Sequence, residues 1–254
     1  MTDKTVWMIS GNKGGVGKSL FSLALASAFE MRGEQFAVFD GDGRTGDVYS
    51  AFRRKCPARQ GDFRELRPDS HLCRLDGQYE SQLHQLLSGS PHVIVNTPDG
   101  ADKVLMKWFD VTLSHTEQAN VHFRMVYLMS DRPDGLEILP ELAQRFQFLY
   151  PVRNLHFGAP KLFTAFNQGY MHGFKVVLDM PALRSEEVRL LFDKHMYPSE
   201  VLRLKKPDNG DGHAPYAIHT LQRARILAWQ RAINEIAWDM ADNKEMPNLE
   251  FGKW

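Results

Sequence analysis

The chain has 254 residues, of which 43% are hydrophobic and 24% are charged. This composition is typical of a soluble globular protein with a sizeable core, and an α/β fold of this length often forms one domain. The 31 basic residues balance the 31 acidic ones, so the chain is not coated in positive charge for nucleic acid. A local basic patch remains compatible with that balance.

The cysteines and the longest apolar run exclude two further classes of protein. Cys56 and Cys73 form no CxxC motif, which argues against a disulfide scaffold or a zinc ribbon and favours reduced thiols. The richest apolar run, from Leu20 to Phe29, is about half the length that a membrane span needs. The N-terminus has no apolar stretch long enough for a signal peptide. We therefore expect a cytoplasmic protein without a membrane span.

Short apolar runs alternate with helical patterns along the chain. Strands are predicted at Val6–Ile9, Phe36–Phe39, Val93–Val95, Val121–Met129 and Val176–Leu178, with another starting near Phe148. Helices are predicted at Leu20–Met31, Glu80–Leu87, Lys103–Leu113, Leu136–Phe148, Leu183–His195 and Leu221–Met240, the last within a C-terminal helical segment at about 216–241. Nearly continuous apolar strands are typical of a sheet buried on both faces. The alternation predicts a doubly wound α/β fold with a mainly parallel sheet.

Two stretches interrupt this alternation. Residues 205–215 are expected to form a turn-rich connection. Residues 44–78 read as an irregular loop that carries Arg53, Arg54, Lys55, Arg59, Arg64 and Arg67. This basic segment suits DNA phosphates or an acidic partner. A solvated loop is the alternative, because Asp62, Glu65 and Asp69 dilute its positive charge. Neither stretch is long enough to mark a second domain, so we expect residues 1–254 to form a single domain.

The most informative segment is SGNKGGVGKS at residues 10–19. It follows a predicted strand and opens a predicted helix, which is the context of a phosphate-binding loop. Its glycines let backbone N–H groups point inward without a Cβ in the way, and the amino end of the helix favours an anion. In such a loop Lys18 would reach the β and γ phosphates, and the Ser19 hydroxyl would ligate Mg²⁺.

The exact pattern of this loop is specific. Asn12 stands where the strict GxxxxGK[ST] motif has its first glycine, and the segment instead matches xKGGxxK[ST], with Lys13 as a second lysine. In this respect the chain resembles the ParA/MinD family of deviant Walker A P-loop ATPases, which have a SIMIBI-type fold. The resemblance implies that Lys13 reaches the nucleotide of a partner subunit. It also implies that ATP is bound by Gly14, Gly15, Val16, Gly17, Lys18, Ser19 and Leu20.

Two carboxylates follow the second predicted strand. Asp40 and Asp42 match the D-x-D pattern of the family. By this resemblance Asp42 helps to orient the attacking water and lies on the first switch region. Acids at the carboxyl end of a strand near Ser19 suit Mg²⁺, so both are candidate metal ligands, although Asp-Gly-Asp-Gly is also an ordinary turn sequence.

The third motif is VIVNTPDG at residues 93–100. It resembles the Walker B segment of the family, but Asn96 replaces the aspartate. An amide can hydrogen-bond a water bound to Mg²⁺ but contributes no negative charge. Asp99 can supply that charge or can cap the following segment. The replacement predicts slow hydrolysis more than weak nucleotide binding.

Two later positions are candidates for contact with the base. Asn154 follows the strand that begins near Phe148, at a place where relatives often read the adenine edge, although an asparagine there is also common in plain turns. Pro181 lies in a strand–proline segment that resembles the one beside the base in the family.

The resemblance implies an ATPase that acts as an ATP-dependent homodimeric switch, with ATP and Mg²⁺ as its ligands. Such switches position plasmid DNA, a conjugation complex or another cargo through an adaptor protein, and slow hydrolysis resets them. Two alternatives stay open: a nucleotide-binding scaffold or regulator with little hydrolysis, and a metabolic P-loop phosphotransferase. The early lysine favours the switch over the phosphotransferase.

Overall fold

The computed structural model describes residues 4–11, 13–63, 82, 85–101, 106, 120–204, 218 and 220–242. The strands are β1 (Lys4–Gly11), β2 (Phe36–Asp40), β3 (Ala58–Gln60), β4 (His92–Asn96), β5 (Val121–Met129), β6 (Phe148–Asn154) and β7 (Leu178–Met180). The α-helices are α1 (Lys18–Arg32), α2 (Asp47–Phe52), α3 (Leu139–Arg145), α4 (Thr164–Gly169), α5 (Ser185–Asp193), α6 (Pro198–Arg203) and α7 (Thr220–Asp242). Residues 85–89 are also helical, and short 3₁₀ turns lie at Leu136–Ile138, Pro160–Leu162 and Met171–Gly173.

The seven strands form one sheet in the order β3-β2-β4-β1-β5-β6-β7. Every pair is parallel; in the centre, Trp7 of β1 lies beside Ile94 of β4 and Arg124 of β5. The chain runs from β1 to one edge of the sheet and, after β4, to the other. The doubly wound parallel α/β prediction is thus confirmed. In such sheets ligands bind outside the carboxyl ends of the strands, where the strand order reverses.

Hydrophobic cores cover both faces of the sheet. Trp7 and Ile9 of β1 face a core that includes Phe29 of α1 and much of α7, while Val6 and Met8 face a second core that includes α3. This alternation is the two-residue period of a strand, and it explains why β1 reads as a continuous apolar run. Within the described part of the chain, no helix has the length and apolarity required to span a membrane.

The structure differs from the sequence prediction in the region expected to be an irregular basic loop. Residues 44–63 contain α2 and β3; the remainder of that loop lies outside the described residues. Both elements are short, and they depend on tertiary contacts that no local pattern shows: β3 pairs with β2 at the sheet edge, and the buried carboxylate of Asp40 holds the first turn of α2.

Smaller differences concern element ends. β7 begins at Leu178, two residues later than predicted, and the helix expected to extend to Phe148 ends at Arg145, because β6 begins at Phe148. The helix predicted at Lys103–Leu113 lies outside the described residues, apart from Met106. The C-terminal helix begins at Thr220 and ends at Asp242.

Candidate functional site

A cavity of about 590 Å³ lies at the carboxyl ends of the central strands. Its size is within the range of small-molecule and cofactor pockets. Glycines, oxygen-bearing side chains and Lys18 form one part of its wall, and apolar side chains of the α5 region form another. The lining comprises Gly14, Gly15, Gly17, Lys18, Ser19, Leu20, Asp42, Thr45, Asp47, Thr97, Asp99, Asn154, His156, Met180, Leu183, Ser185, Val188, Arg189 and Phe192.

The loop between β1 and α1 forms the polar floor of this cavity. Gly17 precedes α1 with φ 104°, a left-handed conformation that favours glycine, and a Cβ there would lie 2.8 Å from Asn154 Nδ2. At the end of β1, a Cβ on Gly11 would lie 2.7 Å from the carbonyl oxygen of Leu128. Glycine is therefore required at both ends of the loop. Val16, which the sequence placed among the nucleotide contacts, is buried and turned into the core.

The two lysines of the loop have different surroundings. Lys18 is buried, lines the cavity and donates from Nζ to the carbonyl oxygen of Lys13 at 2.9 Å. The Lys13 ammonium lies 5.8 Å from the centroid of the Phe157 ring and is not part of the cavity lining. Lys18 is thus placed to meet a phosphate in this cavity, whereas Lys13 is directed elsewhere. The roles assigned to both from the sequence stay predictions.

Oxygen-bearing side chains line the cavity at the loop and beside it. Ser19, Asp42 and Asp99 all line the cavity, and a Cβ on Gly14 would lie 3.2 Å from Asp99 Oδ2. Burial raises the pKa of Asp47, which also lines the cavity, although a hydrogen bond from Thr45 lowers it. Hydroxyl and carboxylate oxygens are the ligands that Mg²⁺ prefers, usually one or two carboxylates together with phosphate oxygens. The donor set therefore fits Mg²⁺ bound with a nucleotide.

Asp40 is fully buried, and both of its oxygens accept hydrogen bonds from the protein. Oδ2 accepts from the backbone amides of Val48 and Tyr49, each at 3.0 Å, and Oδ1 accepts from Asn96 Nδ2 at 3.0 Å and from the amide of Asp42 at 3.2 Å. Burial raises the pKa of this carboxyl, and the four hydrogen bonds oppose that shift. Asp40 and Asn96 do not line the cavity, so the structure places them behind the residues predicted to act with them.

Asn154 supports the loop from the end of β6. Its Nδ2 donates to the carbonyl oxygen of Val16 at 2.9 Å, and its Oδ1 accepts from the amide of His156 at 3.0 Å. Both ends of the amide therefore contact protein, although the side chain also lines the cavity. Pro181 is not part of the lining, and its neighbour Met180 is. Contact of Asn154 and Pro181 with a base stays a prediction.

The apolar wall of the cavity is held from behind by α7. Trp229 of α7 donates from Nε1 to the carbonyl oxygen of Pro181 at 2.7 Å. Arg225, one turn earlier, donates from Nε to Glu187 Oε1 at 2.5 Å, and Glu187 is fully buried on α5. Two contacts from one helix thus fix the segment that carries the wall.

A second, smaller cavity of about 400 Å³ lies beside the ends of α2 and α5. Five of its lining residues are basic, and Glu200 is the acidic one. The basic residues are Arg53, Arg54, Lys55, Lys194 and His195. Part of the predicted basic segment therefore forms a cleft; Arg64 and Arg67 lie outside the described residues.

Cys56 follows this basic run as a half-buried thiol. Burial, with the nearby Glu30 carboxylate, raises the pKa of the thiol to about 12. The thiol is thus protonated at neutral pH and a poor nucleophile. Cys73 lies outside the described residues.

The sequence analysis missed the apolar wall and several oxygen-bearing side chains that line the cavity. The wall residues Val188 and Phe192 lie on α5 and Leu183 lies just before it, far along the chain, and their spacing indicates only an amphipathic helix. Thr45 and Asp47 lie in a stretch that read as loop. Thr97 lies in the third motif. Because it is a hydroxyl residue directly after a predicted strand, it could have been recognised as a candidate lining residue.

Comparison with known proteins agrees with this geometry. Residues 7–54 match the family model of the CobQ/CobB/MinD/ParA nucleotide binding domain. Over these residues the chain is similar to the nucleotide-binding domains of the ParA/MinD type. The match spans β1, the glycine-rich loop, α1, β2 and α2, and hence the loop lysines and Asp42.

The individual proteins that are similar to this chain cover more of it, at low sequence identity. Protein MobD of Acidithiobacillus ferrooxidans is 27% identical over 168 residues, which are 65% of this chain and 69% of that protein. A nucleotide-binding protein from Archaeoglobus fulgidus, solved with ADP, aligns with a TM-score of 0.51 at 14% identity, covering 75% of this chain and 86% of that one. The cell division ATPase MinD of Pyrococcus furiosus aligns with a TM-score of 0.50 at 12% identity, covering 93% and 100%. At these identities the structures show the fold of ParA/MinD ATPases.

Proposed function

We propose that this chain is an ATP-dependent dimerising switch of the ParA/MinD type. It positions DNA or a protein complex, as in plasmid partition or conjugative transfer, and slow ATP hydrolysis resets it. The observation that carries the proposal is the cavity of about 590 Å³, which is lined both by a glycine-rich loop with a buried lysine and by apolar side chains of the α5 region. We also propose that residues 1–254 form one domain that acts in the cytoplasm.

Each part of the cavity has a task in this proposal. Lys18 and the amides of the glycine loop bind the phosphates of ATP, and the α5 wall packs against its base. Ser19, with Asp42 or Asp99, provides oxygen ligands for Mg²⁺, which when bound neutralises phosphate charge. Asp42 lies on the segment before α2 and orients the attacking water. All of these side chains already line the same cavity, so this arrangement needs no rearrangement of the elements that carry them.

The placement of Lys13 supports a dimer. Its ammonium lies on the Phe157 ring outside the cavity of its own chain, so it is available to a nucleotide held by a partner. We expect Lys13→Ala to bind ATP through Lys18 and to lose ATP-dependent dimerisation. Light scattering with and without ATP and Mg²⁺ measures this, with the exposed Lys161→Ala as the matched control. An ATP-dependent dimer in Lys13→Ala equal to that of the wild type would remove the cross-subunit role.

One observation favours a second candidate, a nucleotide-dependent scaffold with little hydrolysis. Asn96 supplies no negative charge at the Walker B position, and it faces Asp40 and not the cavity. The two candidates differ in turnover. A wild-type chain that dimerises with ATP but releases no phosphate over hours is the scaffold; steady release identifies the switch.

The basic cleft supports DNA as a partner. Phosphate contacts dominate non-specific DNA binding and weaken steeply with salt. We expect duplex DNA to raise the apparent mass of the ATP-bound protein at low salt. Arg54→Glu, which reverses one charge of the cleft, should weaken that binding. If Arg54→Glu binds DNA as the wild type does, the cleft is not the DNA site, and a cargo or adaptor protein becomes the partner to seek.

A further inference from the structure

Asn96 lies where the family resemblance places an aspartate, and its side chain is buried among three polar partners. Nδ2 donates to Asp40 Oδ1 at 3.0 Å and lies 3.4 Å from Ser19 Oγ, while Oδ1 accepts from Ser22 Oγ at 3.4 Å. Asp40 fixes the orientation of the amide, because an ionised carboxylate only accepts hydrogen bonds. The amide therefore connects β4 to β2 and to the first turns of α1.

Asp40 in turn gathers the segment that carries Asp42. Its carboxylate accepts from the amide of Asp42 at one end of that segment and from the amides of Val48 and Tyr49 at the other. The residues between them contribute Asp42, Thr45 and Asp47 to the cavity. A single buried carboxylate thus closes the loop that faces the nucleotide site.

We propose that Asn96 is a positioning residue that holds this closed loop at a fixed distance from the phosphate loop. The inference deepens the proposed function, since it assigns to Asn96 a part in setting the site. Asn96 is 1% exposed and outside the cavity lining, whereas Ser19, Asp42 and Asp99 line it. In this proposal Asn96 acts through Asp40 and Ser19 and not as a direct ligand of Mg²⁺.

An aspartate at position 96 would work against this arrangement. It would place a second carboxylate about 3 Å from that of Asp40, where the amide now donates a hydrogen bond. Like charges at such a distance repel strongly, and a buried site offers little water to screen them. In this chain the asparagine donates a hydrogen bond to Asp40 where an aspartate would repel it, so restoring the family pattern at position 96 should impair the site.

The test compares Asn96→Asp and the milder Asn96→Ala with a control at Asn234. Asn234 is another buried amide, on α7, which accepts from Gln230 Nε2 at 2.7 Å and donates to Met31 Sδ. Asn234→Asp introduces a buried carboxylate away from the cavity. A third variant, with Asp40→Asn and Asn96→Asp combined, restores one amide and one carboxylate with their positions exchanged.

The first readout is hydrogen–deuterium exchange of the protein without nucleotide or Mg²⁺. We expect peptides covering residues 41–52 to exchange about tenfold faster in Asn96→Asp and Asn96→Ala and to be unchanged in Asn234→Asp. We expect the thermal midpoint of Asn96→Asp to fall by about 5 °C and the exchanged pair to recover part of that loss. If exchange over residues 41–52 equals that of the wild type in both single variants, Asn96 does not position this loop.

The second readout is ATP hydrolysis as a function of Mg²⁺. We expect Asn96→Asp to lower turnover about tenfold or more without lowering the Mg²⁺ concentration for half-maximal rate. Faster turnover at lower Mg²⁺ in Asn96→Asp would overturn the proposal and make position 96 part of the metal site. If the wild-type chain binds no ATP, the proposed function fails, while faster exchange of residues 41–52 in Asn96→Ala still supports the positioning role.

Discussion

The two ends of the parallel sheet bury polar side chains in opposite ways. At the carboxyl end, Asp40, Asn96 and Asn154 are buried, and they hold loops around an open cavity. In the amino-terminal half, the buried guanidinium of Arg124 lies 5.2 Å from the ring centroid of Trp7 and 4.6 Å from that of Phe148. Buried polar side chains at the carboxyl end thus position loops around a cavity, whereas the buried Arg124 in the other half packs against aromatic rings.

The amino-terminal cluster is closed by hydrogen bonds as well as rings. Arg124 donates from Nη1 to the hydroxyl of Tyr150 at 3.2 Å and to the carbonyl oxygen of Met240, in the last turn of α7. A cation is favourable there, because the last carbonyl groups of a helix have no partner within it. Burial of a charged side chain alone therefore does not mark a functional site. Buried polar side chains that border a cavity are the more useful indication.

The largest effect that separates the two ends is expected from Lys18→Ala. Loss of the buried loop cation should cost about 2–5 kcal/mol of ATP binding, which is about thirtyfold or more in affinity. The unfolding midpoint should change little. Titration calorimetry measures the affinity, with Lys161→Ala as control. Unchanged affinity would mean that phosphate does not bind at this loop.

Arg124→Met should show the reverse pattern. The change removes the Arg124 hydrogen bonds to the Tyr150 hydroxyl and the Met240 carbonyl, which keep only the 3.4 Å hydrogen bond from Tyr150 to Met240. It also removes two cation–π contacts, so the free energy of unfolding should fall by about 2–3 kcal/mol. ATP affinity should stay within a factor of two or so of the wild type. Urea denaturation checks the first value and calorimetry the second. Arg145→Met, in a surface pair with Glu141, is the control and should cost under about 0.5 kcal/mol. A large loss of ATP affinity in Arg124→Met would show that the two ends are not independent.

The smallest expected effect is a pH dependence from His92. Its ring stacks on Phe29, its Nδ1 accepts from Trp7 Nε1 at 3.4 Å, and burial, with Arg124 and Arg32 nearby, lowers its pKa to about 4. The unfolded chain therefore binds a proton near pH 6.5 that the folded chain binds only near pH 4. Stability should fall as the pH drops from about 6.5 to about 4.

This contribution can be isolated by substitution. We expect His92→Asn to be less stable than the wild type at pH 7 but to lose less stability on acidification, since it has no imidazole to protonate. Thermal unfolding followed by tryptophan fluorescence between pH 7 and pH 4 measures the difference. Parallel pH profiles for the two proteins would place the acid sensitivity in groups other than His92. Glu34, 3.2 Å from His92, is not such a group, because burial raises its pKa and its protonation favours the folded state.

The fold was predictable where apolar runs coincide with single elements. β1, β2, β4 and β5 were predicted within a few residues, because a strand buried on both faces is apolar at nearly every position. β3 and α2 were not predicted. β3 has 3 residues and α2 has 6, and both are too short to show a periodic pattern of apolar residues. α2 depends on hydrogen bonds from its first turn to Asp40, and nothing near α2 in sequence shows that.

The candidate site was predictable only where its residues are contiguous. The phosphate loop is one segment, so its glycines, Lys18 and Ser19 appear as a motif. The apolar wall comes from residues 180–192, and only the fold brings them to the loop. The sequence did show that Asn96 departs from the family pattern. Its hydrogen bond to Asp40 could not be predicted, because the two residues lie on different strands and only the fold brings them together.

Helix α7 contacts both regions that were compared above. Trp229 lies nearer its start and holds the segment beside the cavity wall, and Met240, near its end, receives the hydrogen bond from Arg124. A helix of 23 residues is about 35 Å long, since each residue rises about 1.5 Å. The helix therefore joins the two regions as a single continuous element on one face of the sheet. A label at Leu221, which is 72% exposed, would report on whether a movement of the apolar cavity wall is transmitted to the opposite end of the protein.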